Sequence, residues 1–348
     1  MNILLLPFSW LYAMVMVCRN LAYDRGVFVV RGPGVPVISV GNLTAGGTGK
    51  TPLTEYIVGY LRNKHVRVAV VSRGYRRKSR GVVVVSDGKS VLVDATWGGD
   101  EPVQIAAKFP GVPVVVGERR VEAARVAVHT LGAEVIVLDD GFQHRGIKRD
   151  LDILVMDARK DITSERLIPA GMRREPLNAI RRAGIVAFSR AEDRVAWAPK
   201  VHRWYAGEDV LYRYESPTAR CAGDHSPVPL AVLRSKRTFA FSGIGDHRGF
   251  VDSLRELGCD IVGNRRFADH NRYTSDELAA LGRDVKECGA QILVTTEKDA
   301  VRLGPTVPAI TDLLSTSSLF YIPVTVTITR GGTILEDAID RCLARQVS

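Results

Sequence analysis

Residues 35–53, Val-Pro-Val-Ile-Ser-Val-Gly-Asn-Leu-Thr-Ala-Gly-Gly-Thr-Gly-Lys-Thr-Pro-Leu, constrain the fold of this chain more than any other stretch. A mostly β-branched run, Val37 to Val40, stops at a glycine-rich loop that ends in Gly49-Lys50-Thr51 and opens a helical pattern. Strand, loop and helix in that order are the setting of a phosphate-binding loop, where backbone N–H groups and the helix dipole face an anion. Thr44, Ala45, Gly46, Gly47, Thr48, Gly49, Lys50 and Thr51 would form the cradle. Lys50 would reach the β- and γ-phosphates, and the Thr51 hydroxyl would sit on Mg²⁺. Thr44 stands where the strict pattern has its first glycine, while Gly46, Gly47 and Gly49 keep the loop flexible. A glycine-rich turn with a solvated lysine is the bland alternative, but strand, loop and helix signals agree. The expectation is a chain that binds a nucleoside triphosphate.

Beyond this loop, β-rich runs alternate with helical segments. Arg67–Ser72, Gly81–Ser86, Val112–Val116, Glu134–Leu138, Leu151–Met156 and Gly184–Phe188 read as strands, with helical patterns at Glu101–Lys108 and Arg119–Leu131. Such alternation predicts a largely parallel sheet flanked by helices. The rhythm is lost over residues 190–235, where prolines, glycines and charges cluster, so the domain connection is placed there. A smaller α/β unit is expected from about Thr238, with strands at Phe239–Phe241, Asp260–Gly263, Gln291–Thr295 and Leu319–Val324. The division is therefore 1–25, an N-terminal helix; 26–200, the phosphate-loop core; 201–237, a connecting segment; and 238–348, the smaller unit. A length of 348 residues accommodates it.

The first residues point to a membrane. Ile3 to Cys18 is almost wholly apolar, with Trp10 and Tyr12 inside it and Arg19 and Arg25 after it. As a helix this run reaches about 24 Å, short of the roughly 30 Å hydrocarbon core. A secretory signal is disfavoured, because only the terminal amine precedes the run and no small-residue cleavage site closes it. A buried core helix is the structural alternative. The preferred reading is a helix lying in or partly entering the inner leaflet, with its basic residues at lipid headgroups. The formal charge of +10 fits anionic partners: nucleotide phosphates, nucleic acid or an acidic membrane. Five scattered cysteines, with no Cys-x-x-Cys pair, suit a reducing cytoplasm and suggest no disulfide framework.

Four clusters carry candidate chemistry. Asp139 and Asp140 end an apolar strand and lead into Gly141-Phe142-Gln143-His144. A carboxylate at that place in a phosphate-loop enzyme binds Mg²⁺ directly or through water, although an Asp-Gly turn is the alternative. Asp100, in Gly98-Gly99-Asp100-Glu101-Pro102, reads equally as a helix N-cap or as a general base for a substrate hydroxyl. His270, in Phe267-Ala268-Asp269-His270, would share and relay a proton if it faced Asp100. Basic groups at Ser72-Arg73-Gly74-Tyr75-Arg76-Arg77, Gly117-Glu118-Arg119-Arg120 and Arg173-Arg174 read as clamps on anionic substrate or nucleotide. No helix-turn-helix, zinc or aromatic RNA-binding pattern accompanies them, so nucleic acid is not expected as a partner.

With these clusters in order, the chain resembles the tetraacyldisaccharide 4′-kinase family of lipid A biosynthesis. The resemblance rests on the apolar N-terminus, Val40–Pro52, Ser72-Arg73-Gly74-Tyr75, Gly99-Asp100-Glu101-Pro102 and Asp139–His144. It continues through Ile168-Pro169-Ala170-Gly171, Arg174-Glu175-Pro176, Phe267–His270 and Thr296–Val301. Met172-Arg173 departs from the proline-like loop expected there. The resemblance implies a P-loop NTPase-like α/β fold and transfer of the ATP γ-phosphate to the 4′-hydroxyl of an acylated glucosamine disaccharide 1-phosphate. It implies Asp100 as acceptor of the hydroxyl proton with His270 assisting, Thr51 with Asp139 or Asp140 on Mg²⁺, and Arg73, Arg119, Gln143 and His144 toward substrate. It also implies work at the cytoplasmic face of a bacterial inner membrane, with no obligate protein partner, and closure of two domains about a hinge near 190–235. A membrane-recruited regulatory ATPase or GTPase is the alternative from another class. Its guanine-specific element would have to be Thr296-Glu297-Lys298-Asp299, where Glu297 stands in the wrong place.

Overall fold

The computed structural model describes residues 3–304 and 318–344, so residues 1 and 2 of the expected N-terminal helix lie outside it. The chain divides into two compact units: residues 1–214 with 326–348, and residues 215–325. Among the described residues the larger unit is built on a nine-stranded sheet. From one edge to the other its strands are Thr325–Arg330, Asp209–Glu215, Ile185–Ser189, Leu151–Asp157, Val37–Gly41, Val135–Asp139, Val68–Ser72, Pro113–Val116 and Val83–Asp87. Every residue of Val37–Gly41, Val68–Ser72, Pro113–Val116, Val135–Asp139 and Ile185–Ser189 is buried. Strands covered on both faces favour apolar side chains at successive positions, which is why they read as Val/Ile/Leu-rich runs. Val83–Asp87 pairs antiparallel with Pro113–Val116 at the edge, and it shows the more mixed exposure of an edge strand.

The register fixes the site. Val37–Gly41 pairs in parallel with Val135–Asp139 on one side and Leu151–Asp157 on the other, and Val40 lies opposite Asp139. From Val37–Gly41 the chain passes through the helix Lys50–Asn63 to Val68–Ser72, which lies beyond Val135–Asp139. Later it crosses to the opposite side of Val37–Gly41. Loops diverge at such a switch point and leave a crevice at the carboxyl ends of the strands. Lys50–Asn63 buries Leu53, Thr54, Ile57, Val58 and Leu61, the one-face spacing of a helix laid on a sheet.

The smaller unit has its own six-stranded sheet, ordered Pro227–Val228, Ala219–Cys221, Ser318–Ile322, Ile292–Thr296, Arg237–Ser242, Asp260–Arg266. Its last four strands are mutually parallel. Phe239, Phe241, Phe267 and Tyr273 form its aromatic core.

Two expectations about the chain's division change. Residues 201–237 are not merely a connection, because Asp209–Glu215 is a strand of the larger sheet with Val210, Leu211 and Tyr212 buried. Its apolar run is short and flanked by Asp209 and Arg213, so it is masked in the sequence. Nor does the smaller unit reach residue 348. From Val326 the chain rejoins the larger unit, adding an edge strand and the helix Gly332–Ala344. Leu335, Ile339 and Cys342 are the buried stripe of that helix. Its outer side meets the phosphate-loop helix, where Tyr56 donates to Glu336 at 3.2 Å and Tyr60 to Asp340 at 3.1 Å.

Candidate active site

The loop after Val37–Gly41 is braced from within and from both sides. The Asn42 amide nitrogen donates to the Thr44 carbonyl at 2.7 Å and to the Thr48 hydroxyl at 2.8 Å. Ala45 N–H donates to the Met172 carbonyl at 2.7 Å, and Ser189 Oγ donates to the Thr48 carbonyl at 2.8 Å. Thr44, in the place of the usual glycine, is therefore held through its backbone. Gly46 and Gly49 adopt φ of 109° and 89°, the left-handed region where a side chain is strained. At Gly49 there is also no room: an added Cβ would lie 1.7 Å from the Tyr214 hydroxyl. The helix that follows starts at Lys50 with no side-chain cap, so its first N–H groups face the crevice unclaimed by protein side chains.

Lys50 and the acid pair sit together. Lys50 Nζ is 3.5 Å from Asp140, and Arg174 Nη1 is 3.1 Å from the same carboxylate. Burial alone would raise the Asp140 pKa, but Lys50, Arg174 and Arg120 outweigh it and hold the group below its ordinary value. Asp139 behaves oppositely. It is 1 % exposed and accepts from the Thr54 hydroxyl at 3.2 Å. Burial first, then the charges of Glu101 and Asp140, push its proton affinity up. The carboxylates of Asp139 and Asp140, at the strand end that the phosphate-loop helix reaches through Thr54, make a hard-oxygen set whose repulsion a divalent cation would relieve. Among the described residues no group of three or more His, Cys, Asp or Glu forms a self-sufficient metal cage.

Asp100 opens the helix Asp100–Lys108 behind Gly99, again without a side-chain cap on the helix start. Glycines hold its loop against the Ser72–Tyr75 loop. A Cβ on Gly99 would lie 3.0 Å from the Gly74 Cα, and one on Gly74 would lie 2.9 Å from the Gly98 carbonyl. Gln104 and Lys108 of the same helix bond the buried Glu55 of the phosphate-loop helix at 2.8 and 2.6 Å. The loops bearing Asp100 and Arg73 are thus tied to the nucleotide cradle.

The arginine expectation moves by one residue. Arg119 is 73 % exposed and pairs with Glu122 at 2.8 Å on the surface. Arg120 is 4 % exposed, its Nη1 donates to the Gly117 carbonyl at 3.1 Å, and its Nε is buried without a partner. Its charge acts on Asp139 and Asp140, while burial lowers its own pKa to about 10. Gln143 is a brace: its amide nitrogen donates to the Asn42 carbonyl at 2.7 Å and its amide oxygen meets Arg174 at 3.5 Å. His144 is pushed down to about 4 by burial, then by Arg120, Arg149, Arg19 and Arg73, so it is neutral near pH 7. His270 belongs to the smaller unit, whereas Asp100 lies in the larger one. Its Nδ1 is 3.3 Å from Arg302 and its Nε2 3.8 Å from Asp269. Sequence reading named Arg120 only with Arg119 as one basic group and Glu101 only beside Asp100, without separating either as a member of this electrostatic cluster. Each is the neighbour of a residue it singled out, so helix phase was the missing signal.

The N-terminal helix Leu6–Asp24 turns its polar side inward. Ser9 donates to the Leu167 carbonyl at 2.9 Å, Tyr12 to the Arg174 carbonyl at 2.8 Å and Asn20 to Glu175 at 2.9 Å. Arg19, expected at headgroups, instead donates to the Gln143 carbonyl at 2.5 Å. Leu4, Phe8, Trp10, Leu11, Met14 and Val15 are left exposed, followed by Val27–Val30. No helix among the described residues is long and apolar enough to cross a membrane.

Residues 1–344 match the model of a family described as tetraacyldisaccharide-1-P 4′-kinase. A tetraacyldisaccharide 4′-kinase of Anaeromyxobacter sp. (strain K) is 41% identical over 331 residues, covering 94% of this chain and 86% of the relative. One from Geobacter sulfurreducens is 42% identical over 294 residues, covering 84% and 82%. A crystal structure described as the "apo" form of LpxK from Aquifex aeolicus in complex with ATP aligns with a TM-score of 0.78 at 34% identity, covering 97% of this chain and 98% of that one.

Proposed function

This chain belongs to the tetraacyldisaccharide 4′-kinase family, and from that premise we propose how its own side chains carry the reaction. It is an ATP-dependent kinase of lipid A biosynthesis, acting on a disaccharide 1-phosphate lipid. In our reading the amides of residues 46–51 and the start of the helix Lys50–Asn63 bind the phosphates, with Lys50 balancing charge on the group in transfer. Thr51, Asp139 and Asp140 would hold Mg²⁺, which when bound neutralises charge on the phosphates. Asp100 takes the proton of the 4′-hydroxyl as that oxygen bonds to the γ-phosphorus. The bond to the β–γ bridging oxygen breaks and ADP leaves. Arg120, a cationic neighbour of the acid pair, and Arg73, whose charge is felt at Arg120 and His144, orient anionic groups on substrate or nucleotide. His270 is assigned an assisting role on the family pattern alone.

The observation that carries this reading is the uncapped helix start at Lys50 beside the Asp139–Asp140 pair. Phosphoryl transfer needs positioned positive charge and a metal site more than covalent chemistry, and that is what this crevice offers. We further propose that the protein works on the cytoplasmic surface of the inner membrane. The N-terminal helix supports this, because its polar side is used up by the protein and its apolar side is not. The test is phosphate transfer from γ-labelled ATP to the disaccharide 1-phosphate in micelles. Label should appear at the 4′ position with wild type and fall at least 10²-fold with Asp100→Asn at unchanged ATP affinity. An unaffected Asp100→Asn would remove Asp100 from the chemistry.

A further inference from the structure

Across the crevice from the N-terminal helix lies a second exposed aromatic feature. Trp97 is 50 % and Tyr75 59 % exposed, an uncommon state for large rings. The two are fixed to one another's loops: Lys78 N–H donates to the Thr96 carbonyl at 2.8 Å, and Ser79 Oγ to the Trp97 carbonyl at 2.5 Å. Asp94 caps the short turn that presents Trp97, accepting from the N–H groups of Thr96 and Trp97. Rings held on a stitched, glycine-packed platform lose little conformational freedom when they bind something. Residues 73–80 place five basic residues and no acidic one beside them. Arg73, Arg76, Lys78 and Arg80 are exposed, and the Arg76 guanidinium lies 5.5 Å from the Tyr75 ring.

Topology sets where this patch lies. Tyr75 follows the strand Val68–Ser72, and the N-terminal helix docks on loops that follow Val135–Asp139 and Leu151–Asp157. Those strands are parallel, so both features belong to the carboxyl edge of one sheet, within one unit. The helix covers one flank of that edge and the aromatic pair the other, with Asp100 following directly after the Trp97 turn. A single helical contact leaves a body free to roll about the helix axis. A second contact on the far flank removes that freedom and faces the crevice to the bilayer.

We propose that Trp97 and Tyr75, with Arg76, Lys78 and Arg80 around them, form a second membrane-contact patch that seats in the headgroup–acyl boundary of an anionic bilayer. Aromatic rings with a basic surround are the side chains that settle at that depth. The inference rests on the membrane reading of the N-terminal helix. Vesicles of zwitterionic and anionic phospholipid with brominated acyl chains test it on the full chain. Trp10→Phe removes the helix fluorophore, Trp197 is buried, and Trp97 becomes the reporter against the remaining background. Bound Trp10→Phe protein should be quenched by bromine, and the quenching should vanish when Trp97→Ala is added. Partition of Trp97→Ala onto anionic vesicles should weaken about tenfold. Protein that pellets with vesicles yet shows no Trp97-dependent quenching overturns the patch and spares the helix. Quenching that requires the disaccharide lipid in the vesicle overturns it too, assigning the rings to substrate chains. Protein that never pellets removes the helix reading and the patch together.

Discussion

The two parallel sheets of this protein end in opposite ways at their carboxyl edges. In the larger unit the helices starting at Lys50, Asp100 and Arg120 have Gly49, Gly99 and Arg119 at the cap position, and no side chain caps any of them. In the smaller unit Asp246 caps the helix His247–Glu256, Thr274 forms a full capping box with Glu277, and Thr296 caps Glu297–Leu303. There the buried Asp299 also takes the Gly243 N–H with both oxygens, receives the Tyr273 hydroxyl at 2.8 Å and pairs with Arg302 at 2.8 Å. A helix start is an anion site unless the protein fills it. The larger unit leaves these helix starts unfilled, and the smaller one commits its own carboxylates and hydroxyls to internal order.

Breaking the filled edge should have the largest effect on stability. Asp299→Ala leaves the buried Arg302 and the Gly243 N–H without their carboxylate, and should cost about 3–5 kcal/mol in denaturant unfolding. A loss below 1 kcal/mol would mean that the smaller unit is not organised around this residue. At the open edge, Lys50→Ala should lower kcat by about 10²–10³-fold while changing the unfolding midpoint little. Equal losses in activity and stability would erase the contrast between the two edges.

His144 sharpens the comparison through pH. Its folded pKa of about 4 lies below the ordinary 6.5, so neither state carries the charge above pH 6.5. As pH falls from 6.5 toward 4 the unfolded chain binds a proton that the folded site refuses, and stability is lost over that window. His144→Gln should flatten this part of the stability profile relative to wild type. A parallel pair of curves would show that burial and the surrounding arginines do not suppress its charge. The smallest effect expected is from Thr296→Ala, about 1 kcal/mol for one lost cap, with phosphate transfer unchanged.

What could be read without coordinates followed contiguity. The phosphate loop, the Asp139–Asp140 strand end and the alternation behind the large sheet are local patterns, and each lies where the sequence suggested. Features that depend on the phase of a helix or on distant return were hidden. Arg119 and Arg120 are chemically identical neighbours, and only the turn of one helix decides which guanidinium enters the site. The return of residues 326–348 to the larger unit joins segments over a hundred residues apart, with a short amphipathic strand as its only local sign. The polar face of the N-terminal helix was also overlooked. Within sixteen mostly apolar residues, Ser9 and Tyr12 give no periodic polar stripe, though they are points of attachment of the helix.

That attachment decides how the exposed apolar face of the helix could be removed. Truncation after residue 25 would take Ser9, Tyr12, Arg19 and Asn20 from the loops that carry Arg174, Gln143 and Glu175, loosening the walls of the crevice along with the apolar face. Replacing the outward Leu4, Phe8, Leu11 and Val15 with Glu and Lys would remove the exposed apolar surface and leave every one of those hydrogen bonds in place. For this helix, solubility is a matter of repainting the outside, since its inside is part of the enzyme.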